Sequence, residues 1–162
     1  MGVNGLLELT DIPGESKKAD FEEQIDVHGA YWTVDQKSGA VIGSGLTQAR
    51  AEIGNFHFRK WYDSSSPHIA KKCLTGGTVD EAVFTALKDS GDKRLPYLII
   101  TMTNCLISRY SYSNDGEDKD EQMLLEDIAI ACEKINIKYT VQEPDGSGGK
   151  ESEQEYDVVA GG

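Results

Sequence analysis

A mainly β fold is predicted for this chain of 162 residues: an antiparallel β-barrel or closely packed sandwich with one short α-helix. Several segments carry apolar residues at alternate positions, most clearly 124–141, which is typical of half-buried strands. Only residues 63–77 carry helix signals: Asp and Ser oxygens and Pro67 at the start, and Gly76-Gly77 at the end. An apolar stripe lies between them, made of Ile69, Ala70, Cys73 and Leu74. We expect this lone helix to cover one edge or end of the sheet.

Strands are expected at 3–9, 21–35, 79–89, 95–112 and 124–141, besides the strand at 56–62 that enters the helix. The segment 95–112 is either one long strand or two consecutive strands joined by a bend near Asn104. In the strand at 124–141 the apolar alternation changes phase. Ile128 and Ile130 occupy even positions, whereas Ile135 and Ile137 occupy odd positions, so in a regular strand the two pairs would lie on opposite faces. This change predicts a β-bulge at Glu133-Lys134. Residues 1–142 are expected to form the barrel domain, and 143–162 an acidic, Gly-rich tail with a short strand at 156–159.

Residues 37–55 differ from the rest, because glycines interrupt them and their aliphatic side chains follow no strand or helix period. A segment of this length without a core of its own is either functional or disordered. Its aliphatic side chains argue against disorder, so we expect an extended arm buried against a partner subunit. The expected interface residues are Val41, Ile42, Leu46 and Ile53.

Charge and composition exclude several classes of function. The formal net charge of −12 repels phosphate backbones, so no nucleic-acid binding is expected. No apolar run approaches the roughly 20 residues that span a bilayer, and the first residues lack a secretory signal. We therefore expect a protein made in the cytoplasm without membrane insertion, whose export would bypass the signal-dependent route. Three cysteines, Cys73, Cys105 and Cys132, are interpreted as small core residues.

No pattern nominates an active site. The sequence has no Gly-rich phosphate loop, no G-x-S-x-G and no H-E-x-x-H. His57, His68 and Asp63 could meet at the strand–helix junction as a metal site, but widely spaced histidines more often stack on aromatic rings or cap strands. We expect no catalytic residues, no cofactor and no metal, and hence not an enzyme.

Five segments resemble the hemolysin-coregulated protein (Hcp) family, the tube proteins of bacterial type VI secretion. The segment 63–76 is similar to the family pattern D-x-x-S-P-x-L-x-x-A-C-x-T-G, with Ile69 in place of Leu and Lys72 in place of Ala. The turn at 12–16 is similar to the family's G-E-S turn, and the strand end at 31–36 to its S-W-G-x-x-Q pattern, with Thr33 in place of Gly. The strand at 97–102 is similar to the family's Y-L-K-I-T-L, and the family has the same phase change as the one near residue 133. The resemblance runs from about residue 7 to 141.

This resemblance implies a homohexameric ring that stacks into the inner tube of a type VI apparatus. A contracting sheath would expel the tube, with spike proteins and secreted effectors as its other partners. By the same resemblance, Tyr31 and Thr33 would face the lumen and contact effectors. The alternative from another class is a cytoplasmic β-barrel binding module for a small ligand or peptide, which would be monomeric. A third alternative is an enzyme built on the same fold.

Overall fold

A computed structural model describes residues 5–36, 38–41, 45–48, 51–90, 93–114, 124–145 and 147–161. Within these ranges the chain forms twelve strands and one α-helix, α1, over Ser66–Thr75. The strands are β1 (Gly5–Leu9), β2 (Ile25–Val27), β3 (Gly29–Tyr31), β4 (Val34–Asp35), β5 (Ser38–Val41), β6 (Gly45–Gln48), β7 (Glu52–Ile53), β8 (Phe56–Trp61), β9 (Thr78–Ser90), β10 (Lys93–Ser113), β11 (Leu125–Gln142) and β12 (Gly148–Asp157). The mainly β prediction with one short helix is confirmed.

The main sheet is antiparallel and nearly closed on itself. Its strands follow the order β2-β1-β9-β10-β11-β8-β3, and β12 pairs with β11. The two ends of this order, β2 and β3, are neighbours in the chain: β2 pairs with β1 and β3 pairs with β8. The amide of His28, between them, donates to the carbonyl of Arg59 at 2.7 Å. One short segment thus joins both edges of the sheet and closes the barrel, which leaves few unpaired edge groups.

The barrel interior is filled by the side chains that alternate inward along the strands. Its fully buried members include Leu7, Ile25, Phe58, Met102 and Ile128. A contiguous apolar interior of this kind is the main source of folding free energy in a single domain.

The helix lies where expected, but its N-cap residue, Ser65, makes no side-chain capping hydrogen bond, and the helix buries less of its apolar stripe. Pro67 lies in the first turn, and Gly76 ends the helix in the left-handed region at φ 68°. Ile69 is fully buried, whereas Leu74 is 86% exposed, so the expectation that Leu74 packs in the stripe is wrong. At about 100° per residue, Leu74 lies about 140° around the helix from Ile69, which places it away from the barrel.

The change of side-chain phase is present, but its cause differs from the predicted bulge. The pairs Thr103–Lys134 and Cys105–Cys132 keep the same register, so β11 contains no extra residue relative to β10 at Glu133. The same jump occurs in the neighbouring strands, between buried Met102 and Cys105 on β10 and between buried Val79 and Ala82 on β9. All three strands change phase at one level, and Asn104 takes the left-handed φ of 54° there. The sheet therefore has a crease, a line across β9, β10 and β11 at which the inward-facing positions shift by one residue. The pairing register is unchanged because all three strands shift at the same level.

The C-terminal segment is part of the sheet. β12 runs over Gly148–Asp157 and pairs with β11 from Lys134 to Gln142, so the strand starts earlier and is longer than the expected 156–159. Tyr156 packs against the core. Acids of β12 form diagonal cross-strand ion pairs with lysines of β11: Lys134 Nζ lies 3.0 Å from Glu155 and Lys138 Nζ 3.5 Å from Glu151. Cross-strand charge pairing explains why such an acidic segment forms a strand.

Candidate assembly surfaces

The segment expected to be an arm forms strands outside the barrel. β5 and β6 pair with each other in a two-stranded sheet, and β4 pairs with β7 at its base. Val41 lies in β5 and Leu46 in β6, whereas Ile42 lies outside the described residues. Ile53, at the base, is half-buried within the chain itself. The three described members of the expected interface therefore divide between the hairpin (Val41 and Leu46) and its base (Ile53), and contact of all four residues with a second subunit stays a prediction.

An apolar groove lies beside the base of this arm. It has a volume of about 380 Å³ and runs between the β4–β7 pair and strands β11 and β12. Trp32 forms one wall, with its indole Nε1 donating to the carbonyl of Gly54 at 3.0 Å. Val34 is 50% exposed at the rim. The groove and the arm base together form an exposed apolar surface of the kind that marks an interaction site.

Tyr31, the last residue of β3, and Trp32, which follows it, differ in exposure as the alternation predicts. Trp32 packs against the core but stays half-buried rather than fully buried, whereas Tyr31 is 56% exposed. The Tyr31 ring stacks on His57, with ring centroids 4.4 Å apart and planes 4° from parallel. Thr33 is also exposed. An exposed stacked pair is a preorganised, amphipathic contact surface.

Two of the three residues of the possible metal site, His57 and Asp63, have other contacts. His57 stacks on Tyr31, and Asp63 binds the ammonium of Lys60 at 2.9 Å. No group of three metal-ligating side chains occurs among the residues that the structure describes. In the same residues, no helix is long and apolar enough to cross a membrane.

A buried ionic cluster joins the helix to the end of the barrel, and sequence reasoning missed it. Lys60 and Glu126 are both fully buried on the inner face, and Lys60 Nζ lies 2.6 Å from Glu126 Oε1. The ammonium also lies 2.9 Å from Asp63 Oδ1 and 2.8 Å from Ser66 Oγ. Ser66 donates to Glu126 at 2.7 Å. Pairing and hydrogen bonding offset the cost of burying such charges, and in this cluster they converge on Glu126 Oε1, whereas the buried Oε2 of Glu126 has no hydrogen-bond partner among the described residues.

The cluster explains part of the 63–76 motif. Asp63 accepts a hydrogen bond from the amide of Ser65 at 2.9 Å, so the same carboxylate orders the helix entry and binds Lys60.

Burial and the neighbouring Glu126 raise the pKa of the Tyr110 hydroxyl above its usual range. The signal available in the sequence was the phase of β8: Lys60 continues the inward alternation of Phe56 and Phe58.

Comparisons with known proteins agree with one another. The family described as type VI secretion system effector, Hcp, matches residues 6–139. Protein hcp1 of Pseudomonas aeruginosa is 29% identical over 147 residues, covering 91% of this chain and 89% of that protein.

Solved structures with the same fold include a type six secretion system protein with a TM-score of 0.90 at 21% identity, covering 99% of this chain and 98% of that one. Hcp1 from Salmonella typhimurium gives a TM-score of 0.79 at 25% identity, with the same two coverages of 99% and 98%.

Proposed function

Because the chain belongs to the Hcp family of type VI secretion proteins, we propose that it forms hexameric rings that stack into the inner tube of a type VI apparatus. The observation that carries this proposal is the arm. β5 and β6 pair with each other outside the barrel, although the segment holds Val41 and Leu46. A hairpin that pairs outside the main sheet and carries aliphatic residues in its sequence gains stability when those residues pack on another subunit.

The ring would use a heterologous contact, in which the arm of one subunit meets a different surface of the next. Cyclic assemblies with more than two subunits close through contacts of this type. The proposed contact residues are Val41, Ile42 and Leu46 in the arm and Ile53 at its base. Burial of each aliphatic side chain would contribute about 1.5–3 kcal/mol when complete.

The exposed surface around Tyr31 is proposed to face the lumen. Tyr31 and Thr33 lie on the outer side of the barrel wall, and the Tyr31–His57 stack offers an aromatic surface with a hydroxyl at its edge. Effector proteins carried in the tube would contact these side chains. Sheath and spike proteins would be the other partners, and the protein would be made in the cytoplasm and exported with the tube, without a signal peptide.

The alternative of a monomeric binding module is not favoured by the comparisons, which lead to type VI secretion proteins throughout. We also propose that the tube role involves no catalysis by this chain. Mass in solution separates the tube subunit from the binding module.

Light scattering on the purified protein tests the proposal. The expected mass is about six times the chain mass of 17.7 kDa, and negative-stain electron micrographs should show rings. Leu46→Asp, in the arm, should dissociate the rings while the far-UV circular dichroism stays that of a β protein.

A matched control is Leu74→Asp, which places the same charge on an exposed helix position outside the arm. This variant should remain hexameric. A wild-type monomer at micromolar concentration would contradict the tube, and a hexameric Leu46→Asp would contradict the role of the arm.

A further inference from the structure

Two cysteines that are distant in sequence lie directly opposite one another in the barrel. Cys105 on β10 is the cross-strand partner of Cys132 on β11, and both are free thiols. Residues opposite each other on antiparallel strands point to the same face of the sheet. Their Cα atoms are about 4.5 Å apart in a non-hydrogen-bonded pair and about 5.5 Å in a hydrogen-bonded pair. Both values fall in the range that a disulfide requires, about 4.4–6.8 Å.

We propose that Cys105 and Cys132 form an intrachain disulfide when the protein meets a low-molecular-weight disulfide as oxidant. The bond would tie β10 to β11 next to the crease, where Asn104 and Glu133 interrupt the regular pairing. The assignment rests on register and access within the chain and does not depend on the tube function.

The two thiols differ in access, which sets the order of the steps. Cys105 is fully buried and donates a weak hydrogen bond to the carbonyl of Met102 at 3.3 Å. Cys132 is half-buried and lines a cleft of about 120 Å³ together with Trp32 and Asn55. A small oxidant can therefore reach Cys132 before Cys105.

The exchange is balanced in two steps. The Cys132 thiolate attacks one sulfur of the small disulfide, forming a mixed disulfide and releasing one small thiol. The Cys105 thiolate then attacks the Cys132 sulfur, forming the Cys105–Cys132 bond and releasing the second small thiol. The oxidant gains two electrons and two protons, which the two cysteines lose.

Burial sets the rate. Burial raises the pKa of both thiols. The pKa of Cys105 rises to about 12, because the neighbouring Cys132 adds to the effect of burial. Because the thiolate is the attacking species, the exchange is slow near neutral pH and accelerates as the pH rises. A pair of this kind stays reduced in a reducing compartment and oxidises during long exposure outside it.

The test uses the folded wild-type protein with bis(2-hydroxyethyl) disulfide at pH 9, followed by acid quenching and peptide mapping without reductant. The expected product is a Cys105–Cys132 cross-linked peptide in most molecules, with a whole-chain mass lower by two hydrogen atoms apart from any adduct on Cys73. The Cys73→Ser variant is the matched control and should form the same cross-link. The Cys132→Ser variant should form no cross-link. Because Cys132 is half-buried, this substitution should disturb the fold less than a substitution at the fully buried Cys105.

A second readout is the urea concentration at the midpoint of unfolding. The cross-link should raise this midpoint, and reduction with dithiothreitol should return it to the value of the untreated protein. The same rise is expected in Cys73→Ser and no rise in Cys132→Ser. Mixed adducts on Cys132 that persist without the cross-linked peptide would overturn the proposal. So would a cross-link that forms only in denaturant, because the folded register would then play no part.

Discussion

Replacing Lys60 by Met tests how the helix is held on the barrel. The Lys60 side chain is fully buried, with its ammonium 2.6 Å from Glu126 and 2.9 Å from Asp63. Methionine fills a similar volume and removes the charge. The variant leaves two carboxylates close together, one of them fully buried, with the Ser66 hydroxyl as a remaining donor to Glu126.

The expected cost follows from the burial of the cluster. Removing one partner of a buried ion pair costs about 3–5 kcal/mol, because the remaining charge is left without compensation. Glu126→Gln should cost less, about 1.5–3 kcal/mol, since Lys60 keeps Asp63 as a charged partner. The double variant Lys60→Met with Glu126→Gln should recover part of the loss of Lys60→Met, because it leaves no charge at the Glu126 position.

Urea unfolding followed by tryptophan fluorescence measures these values, because Trp61 adjoins Lys60 in the chain. All variants need the same protein concentration, since assembly contributes to apparent stability by mass action. Lys138→Met is the matched control: its ion pair with Glu151 is 3.5 Å long and partly exposed, so the loss should be about 1 kcal/mol or less. A Lys60→Met variant no less stable than Lys138→Met would refute the reasoning.

Other outcomes are also expected. No atom lies within 4 Å of a Cβ added at Gly76 or at Gly29, so only the backbone conformation distinguishes the two positions. Gly76→Ala should lower the free energy of unfolding by about 1 kcal/mol because Gly76 has φ 68°, whereas Gly29→Ala should be nearly neutral. Equal losses would contradict the backbone argument. Tyr31→Glu should reduce retention of a co-expressed effector in pull-downs without changing the ring mass; loss of the ring would place Tyr31 in an interface instead. Rings of chains with charge −12 repel, so stacks in electron micrographs should lengthen as salt rises; stacks longest at low salt would contradict this. Neutralising Glu151 with Gln should favour stacking, and it is a better test than removing residues 143–162, which contain β12.

Local features of the fold could be predicted from the sequence. Strands β8, β9, β10 and β11 and the helix were all expected near their observed positions, because alternation and capping act between residues close in the chain. The phase change near Glu133 was visible for the same reason. Its interpretation as a bulge was wrong, because one strand's pattern cannot show that two neighbouring strands change phase at the same level.

The exposure of residues near the proposed assembly surfaces could also be predicted from the sequence. The expected exposure of Tyr31 and inward packing of Trp32 follow from period two alone. The aliphatic content of the arm predicts that the segment packs on a partner. Whether Val41, Leu46 and Ile53 contact a second subunit is a property of the assembly, so it stays a prediction here.

Tertiary structure alone decided which distant residues meet. Lys60 binds Glu126 across β8 and β11, Cys105 faces Cys132 across β10 and β11, and the acids of β12 lie beside lysines of β11. Each of these contacts depends on strand register, and a shift of one residue would move every side chain to the opposite face. Register is set by the simultaneous fit of all strands around the closed barrel. The alternation along one strand determines which residues share a face, but only the closed sheet determines which of them are neighbours.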